Sequence, residues 1–134
     1  MGAIAANGSE AAPSRETILV VEDEVLIRFL LAETLRTEGY GVVEAANGDE
    51  ALAVLATSTP IDAILTDVNM PGTLDGVALG RRARSARPAL KVMVVSGSAT
   101  SDHAVDAAHA FLAKPYDLQD IVSAIGTLLA ARPG

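Results

Sequence analysis

The stretch Ile18–Asp23, with the sequence ILVVED, is a short apolar run that ends in two acidic residues. Other apolar runs also end in polar residues, and they are Ile61–Asp67, Val92–Gly97 and Ala110–Pro115. If the runs are parallel strands of one sheet, their carboxyl ends lie side by side at the edge where open α/β sheets bind ligands. Three carboxylates, one hydroxyl and one ammonium group would then converge on that edge. This combination predicts a site for a divalent cation and a phosphoryl group.

Strand-like and helix-like patterns alternate from Thr17 onward. Apolar residues recur at the helical period between the strand-like runs, and the residues expected near the helix ends are Gly39, Asn47, Asp75 and Asp117. The whole pattern predicts five strands alternating with five helices. Such a chain folds as an α/β domain, with a parallel sheet covered by helices on both faces.

The length and composition are those of one small domain. The chain has 134 residues, of which 50% are hydrophobic and 3% aromatic, so Val, Leu, Ile and Ala should form the core. We expect residues 1–16 to be a disordered tail and residues 17–131 to form the domain.

Charge and composition exclude several classes of function. The net charge of −7 argues against a nucleic-acid surface, because neutralising phosphates requires clustered cations. The basic cluster is interpreted as a solvated helix end, and it consists of Arg81, Arg82, Arg84, Arg87 and Lys91. The absence of cysteine excludes disulfides, thiolate catalysis and cysteine-based zinc sites. No apolar run has the length of a membrane span and no secretory signal begins the chain, so we expect a soluble cytoplasmic protein without a membrane partner.

The order and spacing of the polar residues resemble the receiver domain of bacterial two-component response regulators, over about Thr17 to Ala130. The motifs that carry the resemblance are Glu22-Asp23, Asp67 followed by Asn69-Met70-Pro71-Gly72 and Asp75-Gly76, Ser96, and Lys114-Pro115. Each motif alone is weak evidence for the family, whereas the full set in this order is strong evidence. The resemblance implies a flavodoxin-like sheet with the strand order 2-1-3-4-5.

The resemblance also implies a role for each site residue. Asp67 would attack the phosphorus of a phosphohistidine on a histidine kinase or a histidine phosphotransfer protein. Asp23, Asp67 and the main-chain carbonyl of Asn69 would bind Mg²⁺ directly, and Glu22 would act through a bound water. Lys114 would supply a fixed positive charge to the transferred group.

A switch would then report the phosphorylation. Ser96 would donate its hydroxyl to a phosphoryl oxygen, and the rotamer of Phe111 would follow that change. Phe111 is explained equally well as a core residue. The resemblance further implies a cis peptide bond between Lys114 and Pro115. Because the chain carries no output domain, we expect an unknown downstream protein to receive the signal.

Two loops depart from the family pattern. The loop after Asp67 has one extra residue, and the segment between Ser96 and Lys114 is several residues shorter than is typical. We therefore expect a shortened fourth helix within residues 100–108, high mobility of residues 97–108 without phosphate, and a monomer when unphosphorylated. The two histidines of the chain are interpreted as solvated or packed side chains, and they are His103 and His109.

Two alternatives stay open on the residues alone. A Mg²⁺-dependent phosphohydrolase would use Asp67 as a transient nucleophile, but Asn69 stands where such an enzyme usually has a second carboxylate. The other alternative is an interaction module of the same fold that is never phosphorylated. The complete set of motifs favours a stand-alone receiver, which catalyses only its own phosphorylation and dephosphorylation and is not otherwise an enzyme.

Overall fold

The computed structural model describes residues 15–68, 74–97 and 108–130. The strands are β1 (Thr17–Val21), β2 (Gly41–Ala45), β3 (Ala63–Asp67), β4 (Lys91–Ser96) and β5 (Ala110–Ala113). The helices are α1 (Val25–Thr37), α2 (Gly48–Leu55), α3 (Gly76–Ala86) and α4 (Leu118–Ala130). The predicted alternation of strands and helices is present along the described part of the chain.

The five strands form one parallel sheet in the order β2-β1-β3-β4-β5. This order confirms the predicted flavodoxin-like arrangement. β3 lies in the centre, and Asp67 at its end is in register with Val95 of β4. The strand order reverses beside β1, since β2 lies on one side of it and β3 on the other. Open α/β sheets bind ligands outside the carboxyl ends of the strands at such a reversal, and this edge carries Glu22, Ser96 and Lys114.

Helices cover both faces of the sheet. On one face, Leu19 of β1 belongs to a buried cluster with Leu79 of α3. On the other face, the neighbouring Ile18 belongs to a cluster with Leu35 of α1 and Ile125 of α4. Successive residues of a strand point to opposite faces, so a strand covered on both faces must be apolar at every position. This explains the continuous apolar runs of the sequence.

Side-chain hydrogen bonds confirm two of the predicted helix starts. At α2, the side-chain oxygen of Asn47 accepts from the N–H of Glu50 at 2.9 Å, and the Glu50 carboxylate accepts from the N–H of Ala46 at 2.8 Å. At α4, Asp117 and Asp120 each accept from the N–H of the other at 2.9 Å. These bonds provide partners for N–H groups that the start of a helix leaves without one.

The contacts of the domain begin before Thr17. The guanidinium group of Arg15 lies 4.0 Å from the centre of the Tyr40 ring, and the carbonyl of Glu16 accepts from the N–H of Gly41 at 3.1 Å. Two residues of the predicted tail therefore contact the domain, while residues 1–14 lie outside the described part of the chain.

Several predictions also concern residues outside the described ranges. They are the ligand role of Asn69, the extra residue in the loop after Asp67, the interpretation of His103, and the shortened fourth helix with its expected mobility at 98–107. The label α4 therefore denotes Leu118–Ala130, the helix that follows Asp117. None of the described helices has the length and apolar character that a membrane crossing requires.

Candidate functional site

Asp67 ends the central strand β3, and only 7% of its surface is exposed. Main-chain hydrogen bonds hold the chain just after it. The N–H of Val68 donates to the carbonyl of Val95 at 2.9 Å, and the N–H of Gly76 donates to the carbonyl of Val68 at 3.0 Å. The first bond joins the end of β3 to β4, and the second joins it to the start of α3. The predicted acceptor carboxylate therefore stands at a fixed position on the carboxyl edge of the sheet.

The acidic pair follows β1, with Glu22 buried and Asp23 exposed. The Oε2 atom of Glu22 accepts from the N–H of Glu24 at 3.0 Å. Burial raises the pKa of the Glu22 carboxyl, and the neighbouring Asp23 and Asp67 raise it further, whereas the bond from Glu24 lowers it. The predicted electrostatic conflict among three clustered carboxylates is thus present in the fold.

Lys114 immediately follows β5 and forms an ion pair with Asp67 through Nζ and Oδ2. Its main-chain N–H donates to the carbonyl of Ser96 at 2.8 Å, which places the residue beside the end of β4. The hydrogen bond to Asp67 raises the pKa of the Lys114 ammonium group against the effect of burial, and the charges of Asp67 and Glu22 raise it further. Lys114 therefore stays charged at neutral pH. The bond from Lys114 to Pro115 is cis, as the resemblance implied.

Ser96 and Phe111 occupy different depths relative to this edge. Ser96 ends β4 and is buried, one strand away from Asp67. Phe111 is in register with Val94, is half-buried, and packs against the core cluster that also contains Val94. The fold thus places Ser96 at the same carboxyl edge of the sheet as Asp67. It leaves Phe111, three positions before Lys114, among core residues. The switch role of both residues stays a prediction.

The acidic residues suit a hard divalent cation. The side chains of Glu22, Asp23 and Asp67 offer oxygen donors, and a cation among them would relieve their repulsion. Within the described ranges, no three acidic or histidine side chains form a ready-made ligand cluster. Mg²⁺ does not require one, because it keeps several waters and takes one or two carboxylates. The chemistry of these donors therefore fits Mg²⁺.

Tyr116 is a neighbour of the site that the sequence analysis did not identify. The ring is half-buried and packs against the cluster shared with α1 and α4. Burial raises the pKa of the phenol, the charges of Glu22 and Asp67 also raise it, and Lys114 lowers it. The available signal was its position two residues after Lys114, because residues just beyond a strand end stay near that edge.

Arg28 of α1 is a second residue that the sequence analysis did not identify. Its Nη1 atom donates to the main-chain carbonyl of Glu22 at 2.8 Å, and its Nε atom lies 3.5 Å from Oε1 of Glu44. Arg28 follows Glu24 by four residues, so the helical period places it back over the turn that leaves the acidic pair. That spacing was the signal in the sequence.

The chain matches the family of response regulator receiver domains over residues 18–126. It is 36% identical over 115 residues to the DNA-binding transcriptional regulator NtrC of Salmonella typhimurium, which covers 83% of this chain and 24% of NtrC. It is 40% identical over 119 residues to the transcriptional regulatory protein PdtaR of Mycobacterium tuberculosis, which covers 86% of this chain and 56% of PdtaR. The chain thus spans less than two thirds of the length of either regulator.

Solved structures show the same similarity. The response regulator TrrA of Thermotoga maritima, in complex with Mg²⁺-BeF, superposes with a TM-score of 0.77 at 32% sequence identity. The match covers 86% of this chain and 100% of TrrA.

Proposed function

The chain belongs to the response regulator receiver family, and we propose that Asp67 is its phosphoryl acceptor. Receiver domains accept a phosphoryl group and generally bind Mg²⁺. One observation supports Asp67 above all others. Its buried carboxylate ends the central strand, in contact with the ammonium group of Lys114 and close enough to Glu22 to raise the pKa of that carboxyl.

The proposed reaction is a transfer from a phosphohistidine on a histidine kinase or a histidine phosphotransfer protein. A carboxylate oxygen of Asp67 attacks phosphorus, so that an O–P bond forms while the N–P bond to the histidine breaks. The imidazole nitrogen leaves with the electron pair of the broken bond and takes a proton from solvent. Charge spreads over the phosphoryl oxygens during this step, so catalysis depends on position and on nearby positive charge.

Lys114 supplies that positive charge in the proposed reaction. Before transfer, its ammonium group pairs with the carboxylate of Asp67, the proposed nucleophile. As the phosphoryl group arrives, the ammonium group donates to a phosphoryl oxygen. The 41% exposure of the Lys114 side chain supports this role, since it leaves room for the head group to shift.

The residues proposed to hold Mg²⁺ are Asp23 and Asp67 as direct ligands, the carbonyl of Asn69 as a third ligand, and Glu22 through a bound water. Mg²⁺ would neutralise the negative charge that builds up on the phosphoryl oxygens. The exposure of Asp23 beside the buried Glu22 supports this division, because a solvated carboxylate can reach an ion that retains its waters.

We propose that Ser96 and Phe111 convert phosphorylation into a change of shape. Phosphorylation adds about −1.5 to −2 charges at one point. Bonds from Ser96 and Lys114 to that group would favour one of two arrangements of the neighbouring segments, and Phe111 would repack with them. Shifting the ratio of the two arrangements from 1:99 to 99:1 needs about 5.5 kcal/mol of differential stabilisation. Charge-assisted hydrogen bonds together with cation binding can supply stabilisation of this order. A downstream protein would bind the favoured arrangement.

The first half of α1 offers a contact surface for the protein that donates the phosphoryl group. Its exposed apolar residues are Val25, Leu26, Phe29 and Leu30, with exposures of 70%, 68%, 53% and 44%. Their spacing places them on one side of a helix that begins two residues after Asp23. Adjoining exposed apolar side chains mark protein contacts. We propose that the domain carrying the donor histidine packs on this side of α1 while its phosphohistidine faces Asp67.

The family match over residues 18–126 favours a receiver over the phosphohydrolase considered from the sequence. Labelling with a small phosphodonor tests the acceptor and also distinguishes a receiver from an interaction module. With acetyl phosphate and Mg²⁺, the intact mass should rise by one base-labile phosphoryl group. The gain should vanish in Asp67→Asn, because the amide keeps the shape but is not a nucleophile.

Asp62→Asn is the matched control for this experiment. Asp62 precedes the other end of β3, is exposed, and accepts from the N–H of Thr17 at 2.8 Å, a bond that an amide oxygen also accepts. This variant should be labelled like the wild type. Labelling of Asp67→Asn would move the acceptor elsewhere, and an unlabelled wild type would contradict receiver function in this chain.

A further inference from the structure

The loop between β1 and α1 presents the acidic pair, so its main chain decides where the two carboxylates stand. The N–H of Glu22 donates to the carbonyl of Ala45 on β2 at 3.1 Å. The N–H of Glu24 turns back to Oε2 of Glu22 at 3.0 Å. The carbonyl of Glu22 is held by a side chain from the following helix, Arg28.

Arg28 connects three parts of the fold. It lies on α1, its Nη1 atom donates to the Glu22 carbonyl at 2.8 Å, and its Nε atom lies 3.5 Å from the Glu44 carboxylate on β2. Only 18% of its side chain is exposed. The planar guanidinium group suits this arrangement, because separate N–H groups can bind a carbonyl and a carboxylate at once.

We propose that Arg28 is a positioning residue of the phosphoacceptor site, which holds the Glu22 carbonyl and thereby aims the carboxylates of Glu22 and Asp23 at Asp67. This inference rests on the proposed function of that site. Arg28 binds a carbonyl and pairs with Glu44, so it steadies the loop without occupying the carboxylates that the cation needs.

Arg36 provides a matched control on the same helix. It pairs with the same Glu44 at 3.2 Å and with Glu33 at 2.8 Å, and it donates to the carbonyl of Val42 at 3.3 Å. These three side-chain contacts lie away from the acidic loop. Arg28→Gln and Arg36→Gln therefore each remove one cation from Glu44, but only the first removes the bond to Glu22.

The first measurement is hydrogen exchange without Mg²⁺ or phosphodonor. Loss of a hydrogen bond from a charged donor should speed exchange of the Glu24 amide by about tenfold in Arg28→Gln, because the loop opens locally. Arg36→Gln should leave this amide unchanged. Arg28→Lys keeps the positive charge, so this variant should unfold near the wild-type temperature. Because the lysine ammonium group cannot make both contacts, the Glu24 amide should still exchange faster than in the wild type.

The second measurement is a Mg²⁺ titration followed by NMR shifts of the loop amides. Positioning predicts that Arg28→Gln binds Mg²⁺ about tenfold more weakly, as removal of outer-shell support usually does. A purely electrostatic effect predicts the opposite sign, since removing a nearby cation should tighten Mg²⁺ binding. Arg36→Gln should bind Mg²⁺ as tightly as the wild type or slightly more tightly.

Three results would overturn the role of Arg28. They are an unchanged Glu24 amide in Arg28→Gln, unchanged or tighter Mg²⁺ binding in that variant, and equal weakening in Arg28→Gln and Arg36→Gln. Failure of the proposed function is distinguishable, because it shows as a wild type that binds no Mg²⁺ or gains no phosphoryl group. In that case the exchange of the Glu24 amide alone decides whether Arg28 holds the loop.

Discussion

Gly76 lies against the main chain of Asp67 so closely that a Cβ atom on residue 76 would stand 2.1 Å from the Asp67 carbonyl oxygen. The same atom would stand 2.8 Å from the Asp67 carbonyl carbon, and real Cβ atoms essentially never come closer than 3.0 Å to such neighbours. The obstructing atoms belong to the end of a buried strand, which cannot swing aside as a flexible side chain can. The absence of a side chain at Gly76 therefore allows α3 to start beside the acceptor.

Replacing Gly76 by alanine should displace the acceptor. Relieving the overlap requires β3 or the start of α3 to shift, so we expect Gly76→Ala to lower the free energy of unfolding by about 1–3 kcal/mol. Phosphorylation from acetyl phosphate should slow because Asp67 moves relative to Lys114. Gly126→Ala is the control. Apart from its chain neighbours and the nearby backbone of its own helix, no atom of the described residues lies within 4 Å of the added Cβ, and alanine in a helix should stabilise by about 0.5–1 kcal/mol. Urea unfolding and intact mass over time measure both effects, and equal stability of the two variants would contradict the clash.

Two variants should show that Mg²⁺ binding and phosphorylation depend on different residues. Asp23→Asn removes a ligand charge and should weaken Mg²⁺ binding strongly. Lys114→Ala removes a neighbouring positive charge, so it should keep or slightly tighten Mg²⁺ binding while impairing phosphorylation. NMR titration of Mg²⁺ on each variant measures the difference. If both variants lose Mg²⁺ affinity equally, Lys114 organises the site instead of serving the phosphoryl group.

The stability of the pairing between β4 and β5 should depend on the protonation of His109. Its Nδ1 atom accepts from the N–H of Val92 at 3.0 Å, which requires an unprotonated nitrogen. Partial burial of this mostly exposed residue lowers the pKa of His109 from its ordinary 6.5, and the charges of Arg84 and Lys91 lower it further. The carboxylate of Asp120 on α4 lines a surface pocket together with His109 and Lys91.

The direction of this pH dependence follows from the lowered pKa. The unfolded chain takes up the proton first as pH falls, so the contribution of His109 is complete above pH 6.5 and is lost as pH falls through the pKa of the folded state. His109→Asn offers an oxygen that accepts the same bond without titrating. Below pH 6.5, the unfolding temperature should therefore fall more steeply with falling pH in the wild type than in His109→Asn. Parallel curves would show that the bond to Val92 contributes nothing to stability.

Contact with the protein donor should depend on Phe29. Phe29 is 53% exposed, so Phe29→Ser should leave folding and phosphorylation by acetyl phosphate nearly unchanged. Transfer from a phosphorylated histidine phosphotransfer domain that labels the wild type should slow, because the apolar contact contributes to its docking. Equal slowing with both donors would instead indicate damage to the site itself.

Much of the fold was predictable because its signals are local. The apolar runs of the strands, the caps at Asn47 and Asp117, and Gly39 after α1 each reflect a preference of a few neighbouring residues. Gly39 adopts a φ of 97°, as a glycine that ends a helix often does. The strand order 2-1-3-4-5 required more than local signals, and it came from a resemblance carried by the polar residues at the strand ends.

The sequence by itself determined which polar residues end or follow strands, because each strand ends where its continuous apolar run ends. It therefore identified Glu22, Asp67, Ser96 and Lys114 as candidates for one edge of the sheet. The tertiary structure alone decided the contacts that depend on distant segments: the clearance between Gly76 and Asp67, the hydrogen bond from His109 to Val92, and the position of Tyr116 beside the acidic residues. The bridge from Arg28 to Glu22 and Glu44 likewise needs β1, α1 and β2 in their final places. Such contacts leave no periodic signal in the sequence, because they join residues brought together only when helices and strands pack.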